Sequence, residues 1–236
     1  VLYDLKTHRY LRHNPTRCQQ RLTPHSTFKI PNSLIGLETG VIANADFVIP
    51  WDRKMYPPEQ AVIEEWNRDH NLRSAIKYSV VWYYRELAKR VGEARMKKMM
   101  KSLNYGNQDI SGGIDRFWLN SSLKISANEQ VEFLKKLYTE TLPVSQRSMN
   151  IVKDILVLEK TTEYTLSGKT GGGPRGMELM PATQEIVQQF ADLLTAISKA
   201  AHASSSVRTH SAAMTDITNP ASSKPILAKR PSTSQL

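Results

Sequence analysis

The chain holds 236 residues, 40% hydrophobic and 23% charged, a balance that supports a globular domain with a sizeable core. One cysteine, Cys18, excludes an internal disulfide framework and a cysteine zinc cluster, the six histidines are scattered without ligand spacing, and no stretch approaches the ~18 apolar residues of a membrane span. The net charge of +10 sits almost wholly before residue 176 and suits anionic ligands, but bases alternate with acids (Lys153-Asp154, Glu159-Lys160) and no nucleic-acid motif accompanies them.

Leu2, Asp4, Leu5, Lys6, Tyr10 and Leu11 alternate like one strand and the start of a second, bending at Lys6-Thr7-His8. A loop runs through Asn14-Pro15. Thr23-Pro24 offers an N-cap followed by a first-turn proline, Phe28, Leu34, Ile35 and Leu37 repeat helically, and Gly40 closes that helix. Pro50, Pro57 and Pro58 mark a loop with short turns over 50–70. Asn71 to Val91 reads as a helix interrupted around Ser79-Val80-Val81, and Glu93 to Leu103 as a helix with methionines on one face and the basic cluster Arg95–Lys101 on the other. Ser111-Gly112-Gly113 is a loop. Ser126 with Glu129 three residues on predicts a capping box for a helix reaching Thr139. Ser145 to Val157 is a further helix, and Tyr164 to Lys169 a strand entering Gly171-Gly172-Gly173. Thr183 to Ala203 is amphipathic, and from Ser204 onward the Ser-, Thr- and Pro-rich composition predicts disorder.

Three short motifs carry chemistry. Ser26-Thr27-Phe28-Lys29 places a hydroxyl and an amine on one helical face, at a helix start where partial positive charge favours an oxyanion. Serine attacks only if a base takes its proton, and lysine serves as that base only if burial lowers its pKa or modification replaces the amine. Ser79-Val80-Val81 sets a second hydroxyl beside an apolar pair, suited to moving a proton at the edge of a dry pocket. Lys169-Thr170-Gly171 joins a cation and a hydroxyl for a carboxylate to a glycine that admits a ligand against the backbone. Alone, each has an ordinary reading: a capping serine, a buried helix, a turn. Their joint order matches the S-x-x-K … K-T-G signature of penicillin-recognising serine enzymes.

Residues 1–173 resemble a class D (oxacillinase-type) serine β-lactamase. The resemblance rests on residues 26–33 (STFKIPNS), 77–84 (KYSVVWYY), Tyr105-Gly106-Asn107, Ser111-Gly112-Gly113, Phe117-Trp118-Leu119, 122–126 (SLKIS) and 167–171 (SGKTG). The second motif is S-x-V rather than S-D-N, which points to class D. The resemblance implies an α+β fold with helices around an antiparallel sheet. It implies that Ser26 attacks the β-lactam carbonyl and that Lys29, carboxylated by CO2, is the general base for acylation and deacylation. An apolar pocket of Phe28, Val81, Trp118 and Leu119 would surround that lysine, with the Trp118 indole N–H donating to the carbamate. Ser79 would relay a proton to the β-lactam nitrogen, and Lys169 and Thr170 would hold the substrate carboxylate. The N–H groups of Ser26 and Gly172, beside Gly171, would form the oxyanion hole. Tyr105-Gly106-Asn107 is read as a structural turn. The expected partner is a small β-lactam, with no metal, bound cofactor, nucleic acid or membrane, and the family acts in the periplasm, although no export signal is visible.

After Gly173 the chain departs from the family, which continues with two more core strands, an arginine and a final helix. The expected sheet is therefore incomplete at its C-terminal end, with 174–203 a non-family helical segment and 204–236 a tail. Arg175 is a candidate replacement for the family arginine. Two alternatives stand beside hydrolysis: a sensor-type domain that acylates without turnover, and an inactive product of a truncated or fused β-lactamase gene.

Overall fold

Nine consecutive residues of one short helix, Lys29 to Leu37, are buried, and the rest of the fold is arranged around them. The computed structural model describes residues 1–58 and 63–172. Their elements are β1 (Leu2–Asp4), β2 (Arg9–Leu11), α1 (Pro15–Gln19), a 3-10 turn His25–Phe28 running into α2 (Lys29–Glu38), a second 3-10 turn Glu64–Trp66, α3 (Leu72–Lys77), α4 (Val81–Val91), α5 (Glu93–Leu103), α6 (Ala127–Tyr138), α7 (Gln146–Ile155), β3 (Val157–Lys160) and β4 (Thr165–Ser167). Helix α2 packs against α4 and α7. The core they share includes Phe28, Leu34, Ile35, Leu87, Met96 and Trp118.

Local signals explain most of these elements. Ser126 Oγ accepts from the Glu129 N–H at 3.2 Å while Glu129 Oε2 accepts from the Ser126 N–H at 2.9 Å, the capping box expected from the sequence. Gly40, at φ +70°, follows the C-cap of α2. In α5, Met96 and Met100 are buried, which leaves the basic cluster on the outer face. Cys18 is buried and unpaired.

Several expectations are corrected. Thr23 does not cap: its Oγ1 accepts from Lys124 Nζ at 2.6 Å, and Pro24 precedes the 3-10 turn without a side-chain cap. The loop at Asn14-Pro15 is the start of α1, where Asn14 Oδ1 accepts from the Arg17 N–H and proline takes the first turn. The break expected around Ser79-Val80-Val81 is present, and it divides 71–91 fully into two helices at Ser79, whose φ is +56°. Val157 belongs to β3, not α7, because Leu156 already caps the helix and the chain turns back to pair with β4.

The strands form two separate antiparallel hairpins. β1 pairs with β2 in the register Leu2↔Leu11, Tyr3↔Tyr10, Asp4↔Arg9. β3 pairs with β4 in the register Val157↔Ser167, Glu159↔Leu166, Lys160↔Thr165, with an irregularity between Val157 and Glu159. No residue of either hairpin enters the described core, and Leu11 and Leu158 are 66% and 67% exposed. Among the described residues no further strand joins either hairpin, and a hairpin buries a face only when further strands extend it over the helices. Gly173, Arg175 and the segments assigned to 174–203 and 204–236 lie outside the described residues, as do four residues of the loop between Tyr56 and Glu65.

The Arg21 guanidinium, 3.0 Å from Glu129 through Nε, and the Ser126 cap hold the Glu129 carboxyl down to about 2. A folded pKa below the unfolded 4.5 gives stability that is present above 4.5 and lost as the pH falls through about 2. Both side chains remain partly exposed, so solvent screening leaves an expected ~1–2 kcal/mol. Urea unfolding should show Glu129→Gln weaker than wild type by that amount at pH 7 and equal to it near pH 2.

Candidate active site

The S-x-x-K motif folds into a 3-10 turn that becomes α2 at Lys29. One turn of helix brings Lys29 Nζ to 2.7 Å from Ser26 Oγ. Lys29 has no exposed surface. Burial, and secondarily the charge of Lys169, pushes its amine well below the ordinary 10.5. Its Nζ lies 5.6 Å from the centre of the Tyr84 ring, and among the described residues it has no carboxylate partner. Burial without a counter-ion among the described residues favours the neutral amine, and a neutral amine can accept the serine proton.

The Ser26 turn is fastened from several sides. Thr27 Oγ1 donates to Pro24 O at 2.7 Å and accepts from Gln130 Nε2 at 2.8 Å, while Tyr105 O–H donates to Gln130 Oε1 at 3.2 Å. Phe28 meets Tyr105, Phe117 and Trp118, the last stacked at 5.2 Å.

Beyond β4, the Lys169-Thr170-Gly171 turn comes against the Ser26 turn. A Cβ at Gly171 would lie 2.8 Å from Thr27 Cγ2 and 3.0 Å from Pro24 O, so only glycine fits this approach. Lys169 Nζ donates to Thr170 O at 3.0 Å, and burial brings its pKa down to about 8. Thr170, Gly171 and Gly172 are exposed.

Trp118 is fully buried, and its Nε1 has no hydrogen-bond partner among the described residues. A buried indole N–H without a partner is costly, and it marks a place for an acceptor beside Phe28. Leu119 packs on the core from a half-buried position. Val81 borders a cavity of about 90 Å³ walled by Trp51, Tyr56, Trp66, Trp82 and Arg85. Ser79 is half-buried at the junction of α3 and α4.

The structure thus bonds Lys29 to Ser26, sets Gly171 against Thr27 and Pro24, brings Lys169 near enough for its charge to act on Lys29, and stacks Trp118 on Phe28, the residue between Thr27 and Lys29. Sequence reading missed Tyr84, Thr27 and Gln130. Tyr84 sits one helical turn after Val80-Val81, which is the one signal that pointed to it. Nothing local marks Gln130.

Residues 1–184 match the penicillin binding protein transpeptidase domain family. Beta-lactamase OXA-48 of Klebsiella pneumoniae is 46% identical over 175 residues, covering 74% of this chain and 64% of the relative. A solved class D β-lactamase from Bacillus subtilis is 47% identical with a TM-score of 0.68, covering 72% of this chain and 69% of that one. The regulatory protein BlaR1 of Bacillus licheniformis is 38% identical over 171 residues, 72% of this chain and 28% of the relative. The chain spans somewhat less than two thirds of OXA-48. From the motif order, the contact between Ser26 and the buried Lys29 and these likenesses together, the chain belongs to the penicillin binding protein transpeptidase family, in its class D β-lactamase branch.

Proposed function

We propose that this protein hydrolyses β-lactams through an acyl-enzyme on Ser26. The observation that carries this reading is the 2.7 Å contact between Ser26 Oγ and a fully buried Lys29. The Lys29 side chain takes the Ser26 proton as the hydroxyl attacks the lactam carbonyl. The N–H groups of Ser26 and Gly172 receive the developing oxyanion, helped by the positive end of α2. Ser79 passes a proton to the departing nitrogen. Lys169 and Thr170 hold the substrate carboxylate. Release of the acyl group repeats the first step with water in place of serine.

Carboxylation of Lys29 by CO2 fits the residues present. It needs a neutral amine, which burial favours, and a donor for the added oxygens, which Trp118 Nε1, unpartnered among the described residues, offers. The modification supplies a carboxylate base in place of an amine. Periplasmic action belongs to the same proposal, by likeness to the family. A second reading, acylation without turnover, is favoured by the likeness to a regulatory protein.

A chromogenic cephalosporin, with and without bicarbonate, tests the proposal. Steady turnover that rises with bicarbonate is expected. One stoichiometric burst supports the sensor reading, and no reaction refutes both.

The pH profile adds a check on Lys169. Below about 8 its amine is charged and binds the carboxylate, and above it the amine is neutral. We expect kcat/KM for an anionic penicillin, which reports the free enzyme, to fall about tenfold per pH unit above about 8 while kcat stays flat.

A further inference from the structure

The α3–α4 junction carries more than the Ser79 hydroxyl. Ser79 sits at φ +56°, a conformation that non-glycine side chains disfavour and that surrounding contacts must hold. Its local backbone bonds are few: the Ser79 N–H reaches Ile76 O at 3.2 Å and the Val80 N–H reaches Ala75 O at 2.9 Å. Two indoles close the junction from outside. Trp66 Nε1 donates to Tyr78 O, the carbonyl immediately before Ser79, at 2.9 Å. Trp82 Nε1, from the first turn of α4, donates back to Trp66 O at 2.7 Å. The turn is thus bridged from before and after through a single residue of the Glu64–Trp66 segment.

That segment is itself anchored. His70 Nε2 lies 2.8 Å from Glu65 O. A carbonyl only accepts, so Nε2 carries the proton and Nδ1 accepts from Ser74 Oγ at 2.9 Å, inside the capping box of α3. Burial pushes His70 below its ordinary value, consistent with this neutral form.

We propose that Trp66 and Trp82 are positioning residues for Ser79: their indole bonds, linked through Trp66, clamp the left-handed turn and thereby hold the hydroxyl in the place from which it passes a proton. This rests on the β-lactam reading for its catalytic half; the clamp itself does not. Neither indole N–H is needed for packing, since a ring of the same shape without the N–H fills the same space.

The test replaces the Trp66 indole with benzothienylalanine, which keeps the ring and removes the donor, with Trp66→Phe and Trp82→Phe as simpler companions. Two measurements are made on the full chain. Amide hydrogen exchange at Ser79 and Val80 should accelerate about tenfold, with Met96 and Met100 in α5 unchanged. The acylation rate with a chromogenic cephalosporin should fall about tenfold in the wild-type background and less than twofold in a Ser79→Ala background, because a clamp that acts through Ser79 has nothing to position once the hydroxyl is gone. Unchanged exchange at Ser79 and Val80 overturns the clamp. Equal slowing in both backgrounds overturns positioning and leaves only a structural role. A wild-type chain that fails to acylate overturns the catalytic half together with the proposed function, while the exchange arm still decides the clamp.

Discussion

Lys29→Met is expected to cut turnover about a thousandfold and at the same time to make the protein harder to melt. The first effect follows from losing the only base in contact with Ser26 among the described residues. The second follows from burial. Lys29 has no exposed surface and no counter-ion, so folding must either desolvate a charge or release a proton. Methionine fills a similar volume without that cost, and the gain should be about 3 °C in Tm. The sign of the pH dependence follows from the same shift. The folded pKa lies below the unfolded 10.5, so between the two the unfolded chain binds more protons and wild-type stability rises with pH. The difference in unfolding free energy between variant and wild type should therefore shrink as the pH approaches 10.5. Calorimetry across pH 6 to 10 measures both the offset and its slope. A catalytic group that weakens its own fold is the expected compromise of a site built to keep an amine neutral.

Gly171→Ala is expected to lower kcat/KM about a hundredfold with little change in Tm. The backbone of Gly171 lies outside the positive-φ region, so alanine adopts it freely. The obstacle is the added methyl, which would meet Thr27 Cγ2 at 2.8 Å and the Pro24 carbonyl at 3.0 Å. Thr27 is fixed by its bonds to Pro24 and Gln130, so the exposed turn is the part that moves. Lys169, Thr170 and the Gly172 N–H move with it, and a displacement near 1 Å at reacting groups costs about a hundredfold. Unfolding stays nearly unchanged because the turn is outside the core. Steady-state kinetics alongside a thermal melt separates this outcome from general destabilisation, which would lower Tm and leave kcat/KM per folded molecule intact.

What was legible in the sequence was whatever one or two helical turns decide. The Ser26–Lys29 contact is a three-residue spacing, the Ser126–Glu129 box is another, and the methionine face of α5 follows from periodicity alone. The K-T-G turn was legible as a motif, but its placement against Pro24 and Thr27 was not, because tertiary packing brings those distant segments together. The same holds for Trp66 and Trp82, whose N–H partners are carbonyls twelve and sixteen residues away. Strand β3 escaped because Val157-Leu158 continues the apolar rhythm of α7, and only pairing with β4 makes it a strand. The split at Ser79 left a weak trace in β-branched Val80-Val81, which disfavour a helix interior without forcing a left-handed turn. Tyr84, set over Lys29, read simply as one more aromatic on a buried helix.

The whole account depends on the protonation state of one amine. Selective 13C labelling of lysine Cε, with Lys29→Met to assign the resonance, allows that amine to be titrated in the folded protein. Lys29 is expected to titrate well below the other lysines, and its shift to change when 13C-bicarbonate is added. A Lys29 signal that titrates near 10.5 with the exposed lysines would contradict it.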